Sequence, residues 1–482
     1  MQYRSILKAL GVIILLVGGC LLIPTVYAWV IDSSDLEAFV LSSVISILIG
    51  AGLLMLPKSK KPFKNQDGFA LVSFAWLAAG LFGALPFLLS GAVPTFTDAY
   101  FESVSGFTTT GASIFTVIED KPLPLLLWRS MTQWLGGMGI IVLTIAIVPY
   151  LDIGGMSIFQ AEVPGPTAEK LTPKIQDTAK VLWFIYFVFT VILIGLLWFF
   201  GMTPFEAVNY AFATMSTGGF STRNTSVAAF NSPLLEWIIT LFMAIAGMNF
   251  ALHFRFLFRG FKLKVYQQDS ELMFYLTIIL ASTLGVTGVI LLQSTAGFEP
   301  TLRGVAFTVV SLVTTTGFGT ADYELWPVFG QMILLLLMIM GGCAGSTAGG
   351  VKSVRLMLVL KYIYVEMLKM LHPHLVRDVK MQDTVVERSV LGSILSFLFI
   401  YITVMVFSIL LVSLQTPDMI TSISAVIACL SNIGPGLGMV GPTDNYAQLH
   451  DFTKWVLSLN MVLGRLEILT LLVLFLPQSW TK

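Results

Sequence analysis

The chain has 482 residues, of which 56% are hydrophobic and 11% are charged, and its formal net charge is zero. Its mean hydropathy is +0.86. A soluble protein averages about 45–50% apolar and about 25% charged residues, so this chain has too little polar surface to face water on all sides. The composition excludes a soluble globular protein and indicates a polytopic membrane protein. We expect its surroundings to be the lipid bilayer, with no nucleic-acid partner.

Cysteine and histidine are sparse, and neither residue type suggests a metal site. The three cysteines, Cys20, Cys343 and Cys429, lie in apolar segments without metal-ligand spacing, which favours a packing role. The four histidines are too scattered for a metal centre. We find no nucleophile triad and no soluble domain. The sequence therefore predicts that the protein is not an enzyme and that this chain binds no cofactor of its own.

Two uncharged apolar segments open the chain, at 9–31 and 38–56. Both are close to the roughly 20 residues that a spanning helix needs. No cleavage site follows the first segment, so we predict a membrane helix and not a removable signal peptide. A basic cluster follows the second segment. We interpret residues 1–57 as a two-helix N-terminal domain.

After this hairpin one pattern occurs four times: a long apolar span, a short apolar segment, a turn containing glycine, and a second span. Similarity at a period of about 100 residues indicates internal duplication. The predicted fold class is an all-α polytopic membrane protein, in which the hairpin precedes four fused span–pore helix–span repeats around one central ion pore. The predicted repeats are 67–150, 178–265, 270–371 and 385–482. Their second spans are predicted at 128–149, 237–254, 327–360 and 452–476.

The four turns have similar compositions. They are Thr109-Thr110-Gly111, Ser216-Thr217-Gly218, Thr315-Thr316-Gly317 and Asn432-Ile433-Gly434. Non-helical backbone is tolerated at membrane depth only where protein buries it or where it lines a watery path. Carbonyl oxygens in such a turn can replace part of a cation's hydration shell, and hydroxyl groups could add further oxygens. One glycine turn would predict only a loop, whereas four equivalent turns predict a backbone-lined cation filter.

Lysine and arginine prefer cytoplasmic loops. In this chain most of them fall on the side of the membrane that holds the N-terminus. We therefore expect both termini to be cytoplasmic. The opposite face carries more acidic than basic residues, and a negative mouth raises the local concentration of cations.

Two features of the later spans need a separate explanation. The stretch 341–350 has five glycines among its ten residues and cannot hold a stable helix. A phosphate-binding loop is excluded because no strand precedes it, while close helix packing through small residues remains an alternative. Arg465 lies within the last span, where a charge is costly. A structural pair with an acid from another helix is one explanation, but Glu467 projects from a different face and is a poor partner.

The fourfold layout, together with Trp128-Arg129 and the run Gln133-Trp134-Leu135-Gly136-Gly137-Met138-Gly139, resembles the TrkH/KtrB/HKT superfamily of potassium transporters. The extra N-terminal hairpin is similar to the TrkH branch. The resemblance implies potassium as the transported ion, with a filter built around Gly111, Gly218, Gly317 and Gly434. In sodium-favouring members the first of these glycines is typically serine, so Gly111 implies potassium selectivity.

The resemblance also implies a gate below the filter. Its intramembrane loop would contain Gly345, Ser346, Thr347, Ala348 and Gly349, with Arg465 facing the pore beside it. It further implies a homodimer in the cell inner membrane on a cytosolic TrkA-type ring of RCK domains. The nucleotide, NAD(H) or ATP, would be bound by that ring.

The fourth turn, Ser431 to Pro435, has no threonine pair, so there we expect coordination by the backbone. One alternative mechanism stays open from the residues. A proton- or sodium-coupled potassium symporter with a midplane site would also use discontinuous helices, although it would favour two related halves over four quarters. The sequence thus predicts channel-like potassium uptake, with coupled symport as the alternative.

Overall fold

The computed structural model describes residues 2–57, 64–139, 175–258, 260–295, 297–382 and 384–477. Within these ranges the chain is mostly helical, and its only strands are a short antiparallel pair, β1 (Lys380–Met381) and β2 (Thr384–Val385). Six described helices are long and apolar enough to cross a membrane, or eight if each of two bent pairs counts as one span. The predicted all-α, multi-pass membrane fold is confirmed.

The N-terminal hairpin consists of α1 (Tyr3–Val30) and α2 (Leu36–Leu54). The two helices approach closely because small residues lie at their crossing. A Cβ atom on Gly50 would lie 2.8 Å from the Leu15 amide nitrogen and 2.9 Å from the Gly11 carbonyl oxygen. Helix α1 also packs against the helices at 65–83 and 123–137, so the hairpin is attached to the rest of the fold and not separate from it.

The repeats follow in chain order. Repeat one contains α3 (Asn65–Gly83), α4 (Leu85–Leu89), α5 (Phe96–Phe107) and α6 (Leu123–Gly137). Repeat two contains α7 (Ile175–Phe199), α8 (Pro204–Met215), a 3-10 turn (Ser226–Phe230), α9 (Pro233–Ala246), α10 (Phe250–Phe258) and α11 (Lys264–Gln267). The part of the predicted span 128–149 beyond residue 139 lies outside the described residues, as does the end of repeat four beyond residue 477.

Repeat three contains α12 (Ser270–Gln293), α13 (Phe298–Val313), a 3-10 turn (Tyr323–Leu325), α14 (Val328–Met340) and α15 (Ser353–Leu371). Repeat four contains α16 (Arg388–Val412), α17 (Met419–Leu430), two 3-10 turns (Gly438–Val440 and Val473–Phe475), α18 (Asp451–Arg465) and α19 (Leu469–Leu472). The segment between α14 and α15 is the glycine-rich stretch, which is non-helical as its composition predicts.

Two spans predicted as continuous helices are broken instead. Helices α9 and α10 meet at 96°, and α18 meets the following short helical segment at 109°. The second break contains Glu467 and Ile468, both with left-handed φ, of 55° and 47°. Hydropathy cannot reveal such breaks, because each bent pair as a whole is still apolar enough to pass as one span and the freed backbone groups find partners elsewhere in the fold.

Three of the four short helices begin at side-chain caps that the sequence encodes locally. The Thr95 hydroxyl accepts from the Asp98 amide at 3.1 Å, and the Thr203 hydroxyl accepts from the Glu206 amide at 3.2 Å. These are the Thr-x-x-acid boxes typical of helix N-termini. Asp418 caps α17 in the same way through the Thr421 amide, at 2.7 Å, and these bonds hold the pKa of its carboxyl below the usual range.

The four repeats close into a ring. The second long helix of each repeat packs against the short helix of the next: α6 on α8, α9 on α13, α14 on α17, and α18 back on α5. Polar links join the same neighbours. They run from Arg129 to the Ser221 carbonyl (3.0 Å), from Arg303 to Glu236 (2.8 Å), from the Tyr323 hydroxyl to the Gly436 carbonyl (2.8 Å) and from Lys454 to Asp98 (2.6 Å). This cyclic order brings all four turns to one axis.

The tight helix crossing in the hairpin yields a prediction. Gly50→Leu should destabilise the protein, because its side chain has no space between α1 and α2, and overpacking of this kind costs about 1–3 kcal/mol. The measurement is the thermal midpoint of the detergent-solubilised protein. Gly52→Leu is the control, because a Cβ at Gly52 meets nothing within 4 Å. Equal midpoints for the two variants would contradict the close crossing.

Candidate ion pathway

Each short helix ends in the same backbone turn. The residue after each helix cap has left-handed φ: 55° at Thr109, 53° at Thr217, 57° at Thr315 and 57° at Asn432. The next amide in each turn donates back to a carbonyl five residues earlier, for example Thr110 to Ser105 at 2.9 Å and Thr316 to Ser311 at 2.8 Å. This is a Schellman-type helix end, repeated in four copies.

The residue types at these left-handed positions are unusual. Glycine normally occupies such a position, and a β-branched residue there is a true outlier. Backbone strain of this kind costs of order 1–3 kcal/mol per residue and concentrates at functional sites. Threonine occupies three copies, whereas the fourth has Asn432, a residue type that tolerates left-handed φ better. The surrounding fold must therefore impose the turn.

A glycine with left-handed φ follows two residues later in every copy. These glycines are Gly111 (82°), Gly219 (77°), Gly317 (79°) and Gly434 (97°). The sequence predicted Gly218 as the equivalent of Gly111, but Gly219 has the left-handed φ, so the register shifts by one residue. Gly218 occupies the position of Thr110, Thr316 and Ile433.

The four glycines interlock around the axis. A Cβ atom added to any of them would come within 3 Å of a carbonyl oxygen of the next repeat. The glycine and carbonyl pairs are Gly111 with Gly218, Gly219 with Thr316, Gly317 with Ile433, and Gly434 with Thr110. Each glycine thus lets the next repeat's carbonyl approach, and the set forms a closed ring. All four glycines also line one open cavity, together with Asn224, Asp444 and Arg223.

Several hydroxyl groups that the sequence offered as ion ligands have protein partners. Thr110 bonds the Thr108 hydroxyl at 2.7 Å, and Thr316 bonds the Thr314 hydroxyl at 2.8 Å. The Ser216 hydroxyl donates back into its own helix, to Phe212 at 2.7 Å. These hydroxyl groups therefore stabilise their own turns.

A buried ion pair supports the first turn. Arg129 and Glu102 are 1% and 0% exposed and lie 2.7 Å apart. Glu102 also accepts from the Ile114 amide at 2.9 Å, just beyond Gly111, and the Arg129 guanidinium lies 4.1 Å from the Phe220 ring centroid. The position of Arg129 inside the family-like motif was the only signal of this ion pair in the sequence.

The glycine-rich loop at 341–350 lies directly against the turns. The Gly349 amide donates to the Thr315 hydroxyl at 2.7 Å, and the Thr217 hydroxyl donates to the Thr347 hydroxyl at 3.3 Å. Ala348 is buried. Two strained threonines of the turns therefore hold the loop through their side chains.

The loop also pairs with the break between α9 and α10. The Cys343 amide donates to the Gly247 carbonyl at 2.9 Å, and the Phe250 amide donates to the Gly345 carbonyl at 3.0 Å. The Ser346 hydroxyl closes the loop on itself through the Cys343 carbonyl at 2.6 Å. Backbone groups that lose their helical partners at the α9–α10 break thus bond with backbone groups of the loop. Non-helical segments are tolerated at membrane depth when protein satisfies them in this way.

Arg465 joins the loop to the first repeat. Its guanidinium donates to the Thr347 carbonyl at 2.9 Å and to the Gly136 carbonyl at 2.8 Å. The residue is half-buried at the end of α18. Glu467 pairs with Arg355 at 2.5 Å, which agrees with the expectation that it is not the partner of Arg465.

Glu271 is a site residue that sequence reasoning missed. Its carboxylate accepts from the Ala344 amide at 2.6 Å and from the Val354 amide at 3.2 Å, which bracket the loop. Lys352, which lies between Ala344 and Val354 in the sequence, donates to the Ala348 carbonyl. An acidic residue at the start of a span was the only signal in the sequence. Across the described residues no group of three or more His, Cys, Asp or Glu could hold a metal ion.

The profile of the TrkH family, described as "Cation transport protein", matches residues 35–482. The chain is 39% identical over 487 residues to "Trk system potassium uptake protein TrkH" of Salmonella typhimurium and to the protein of that name from Escherichia coli strain K12, with all of each chain covered. The crystal structure of the potassium transporter TrkH from Vibrio parahaemolyticus matches with a TM-score of 0.89 and 34% identity, and it too covers both chains fully. With full-length similarity in both sequence and structure, the chain belongs to the TrkH family of cation transport proteins, which are transporters and not enzymes.

Proposed function

We propose that this protein takes up potassium through one central filter formed by the four turns. The observation that carries the proposal is the closed ring of left-handed glycines, each against the carbonyl of the next repeat. Backbone carbonyls at the ends of four converging helix dipoles favour a partly dehydrated monovalent cation. The similar proteins from Salmonella typhimurium and Vibrio parahaemolyticus are named as potassium uptake and potassium transport proteins. Gly111 supports the same ion, since serine at that place is typical of sodium-favouring relatives.

The filter residues proposed here are those that the sequence suggested, with the second copy shifted. The ring consists of Gly111, Gly219, Gly317 and Gly434, with Gly218 one residue earlier. Thr217 and Thr315 contact the loop through their side chains, which couples the filter to the segment below. Thr109 and Asn432 are the corresponding residues of the other two turns.

The gate in this proposal is the loop 345–350 together with Arg465. The guanidinium holds the loop to repeat one through carbonyl oxygens, and hydrogen bonds to a charged group contribute about 1.5–3 kcal/mol. A fixed positive charge below the filter also opposes cation occupancy there. Opening would require the Arg465 contacts with Thr347 and Gly136 to break.

The setting of the protein is proposed on the same family basis. We place it in the cell inner membrane with both termini cytoplasmic, as a homodimer on a cytosolic TrkA-type RCK ring. That ring, and not this chain, would bind NAD(H) or ATP. The word "system" in the names of the similar proteins supports a multi-component assembly.

Potassium and sodium flux into proteoliposomes, measured with and without an imposed proton gradient, tests the proposal directly. Channel-like uptake predicts potassium flux that follows its own electrochemical gradient. If uphill potassium uptake follows the proton gradient, the coupled-symport alternative replaces the channel-like mechanism.

Gly111→Ser should lower the potassium-to-sodium permeability ratio. A side chain at φ 82° would press against the Gly218 carbonyl, so the ring must rearrange. We expect a fall of about tenfold, which corresponds to about 1.4 kcal/mol in relative ion binding. Gly91→Ser is the matched control, because Gly91 also has left-handed φ, of 68°, but a Cβ there meets nothing within 4 Å. An unchanged ratio in Gly111→Ser would contradict the proposed filter.

Arg465→Ala, or a shortened loop between 345 and 350, should raise potassium flux in the absence of a cytosolic partner. Both changes remove contacts that hold the loop under the filter. We expect an increase of about tenfold, the equivalent of one charged hydrogen bond. Arg377→Ala removes an exposed arginine that lies against Tyr364, and it should leave flux unchanged. The gate assignment fails if neither change raises flux above that control.

A further inference from the structure

Gln133 of repeat one holds the filter turn of repeat two. Its side chain is 0% exposed and lies on α6. The amide nitrogen Nε2 donates to the Gly218 carbonyl at 2.5 Å, and Oε1 accepts from the Phe220 amide at 3.0 Å. A carbonyl can only accept and an N–H can only donate, so these two partners define the orientation of the side-chain amide. Gln133 therefore bonds the main chain on both sides of Gly219.

The same contact explains why repeat two departs from the other copies. At the position of Gly218 the other repeats carry Thr110, Thr316 and Ile433. A Cβ added to Gly218 would lie 2.5 Å from the Gln133 Cδ and 2.9 Å from its Cγ. The space that a side chain fills in three repeats is thus occupied in repeat two by Gln133.

In repeats one and three the equivalent side chain braces its own turn. The hydroxyl of Thr110 bonds Thr108, and that of Thr316 bonds Thr314. Gly218 has no side chain to do this, so the polar brace of the second turn comes from a neighbouring repeat.

We propose that Gln133 is a selectivity-determining positioning residue that supplies, from repeat one, the brace that the second filter turn lacks. This inference rests on the proposed function. Potassium discrimination depends on the number and orientation of the carbonyls that face the ion. Gln133 fixes the orientation of the peptide groups on both sides of Gly219. One of these groups is the Gly218 carbonyl, which lies against Gly111 of the adjoining repeat.

Arg129 extends the same support. It lies four residues before Gln133 on α6, hence on the same face of the helix. Its Nη1 donates to the Ser221 carbonyl at 3.0 Å. One face of α6 therefore bonds residues 218, 220 and 221 of the second turn and the segment after it. Without Gln133 the Gly218 carbonyl loses its buried donor and is free to reorient.

The test is a double-mutant cycle read out as the potassium-to-sodium permeability ratio in proteoliposomes. Gln133→Ala removes the brace, and Gly218→Thr adds the side chain found in repeats one and three. Each single change should lower the permeability ratio by about tenfold. Gln133→Ala does so because a hydrogen bond is lost, and Gly218→Thr does so because the new side chain clashes with Gln133. The double variant should recover most of the ratio, since it gives the second turn the side-chain pattern of the first and third. Such recovery would show that the effects of the two substitutions are not additive, and a double-mutant cycle measures this coupling between residues 133 and 218.

Gln133→Met keeps the side-chain volume and serves if Gln133→Ala does not fold; it should lower the ratio equally. Ser130→Ala is the control, because it removes a buried bond from α6 to Asn209, at 2.6 Å, without touching the turn. A wild-type ratio in the Gln133 variants, or a double variant no better than the singles, overturns the inference. A wild-type protein that does not discriminate potassium from sodium would instead overturn the proposed function.

Discussion

The contact between a left-handed glycine and the carbonyl of the next repeat is the constraint on which the pathway depends. Each of the four glycines leaves just enough room for one carbonyl of its neighbour, so no turn can adopt its conformation alone. The threonines at 109, 217 and 315 hold strained backbone angles that an isolated helix end would not adopt. Strain of this size persists only because the contacts between repeats around the ring leave the turns no other conformation.

Below the ring, two irregular segments satisfy each other. The loop of repeat three and the break between α9 and α10 exchange main-chain hydrogen bonds, and neither would be tolerated at membrane depth without the other. Arg465 adds a charged link from the loop to repeat one, and Glu271 holds the loop's two ends. The loop is therefore a docked element whose contacts reach three repeats. A movement in any of these repeats can reach the loop through these contacts.

Prediction from the sequence succeeded where one local property decided the outcome. The hairpin, the short helices and the non-helical stretch at 341–350 follow from apolar length and glycine content. Prediction failed at the second turn, where Gly218 and Gly219 are adjacent and either could fill the glycine position. It also failed at the spans 237–254 and 452–476, whose length and mean hydropathy conceal breaks of 96° and 109°.

The sequence by itself determined that this chain crosses the membrane many times and carries four short helices with glycine turns. Hydropathy, chain length and caps act over neighbouring residues, so they can be recognised without a structure. Only the tertiary structure decided that Gly219 belongs to the ring, that Gln133 braces it, and that Arg465 contacts the loop. These features depend on hydrogen bonds and steric limits between residues far apart in the chain. Their partners become known only when the four repeats are assembled around one axis.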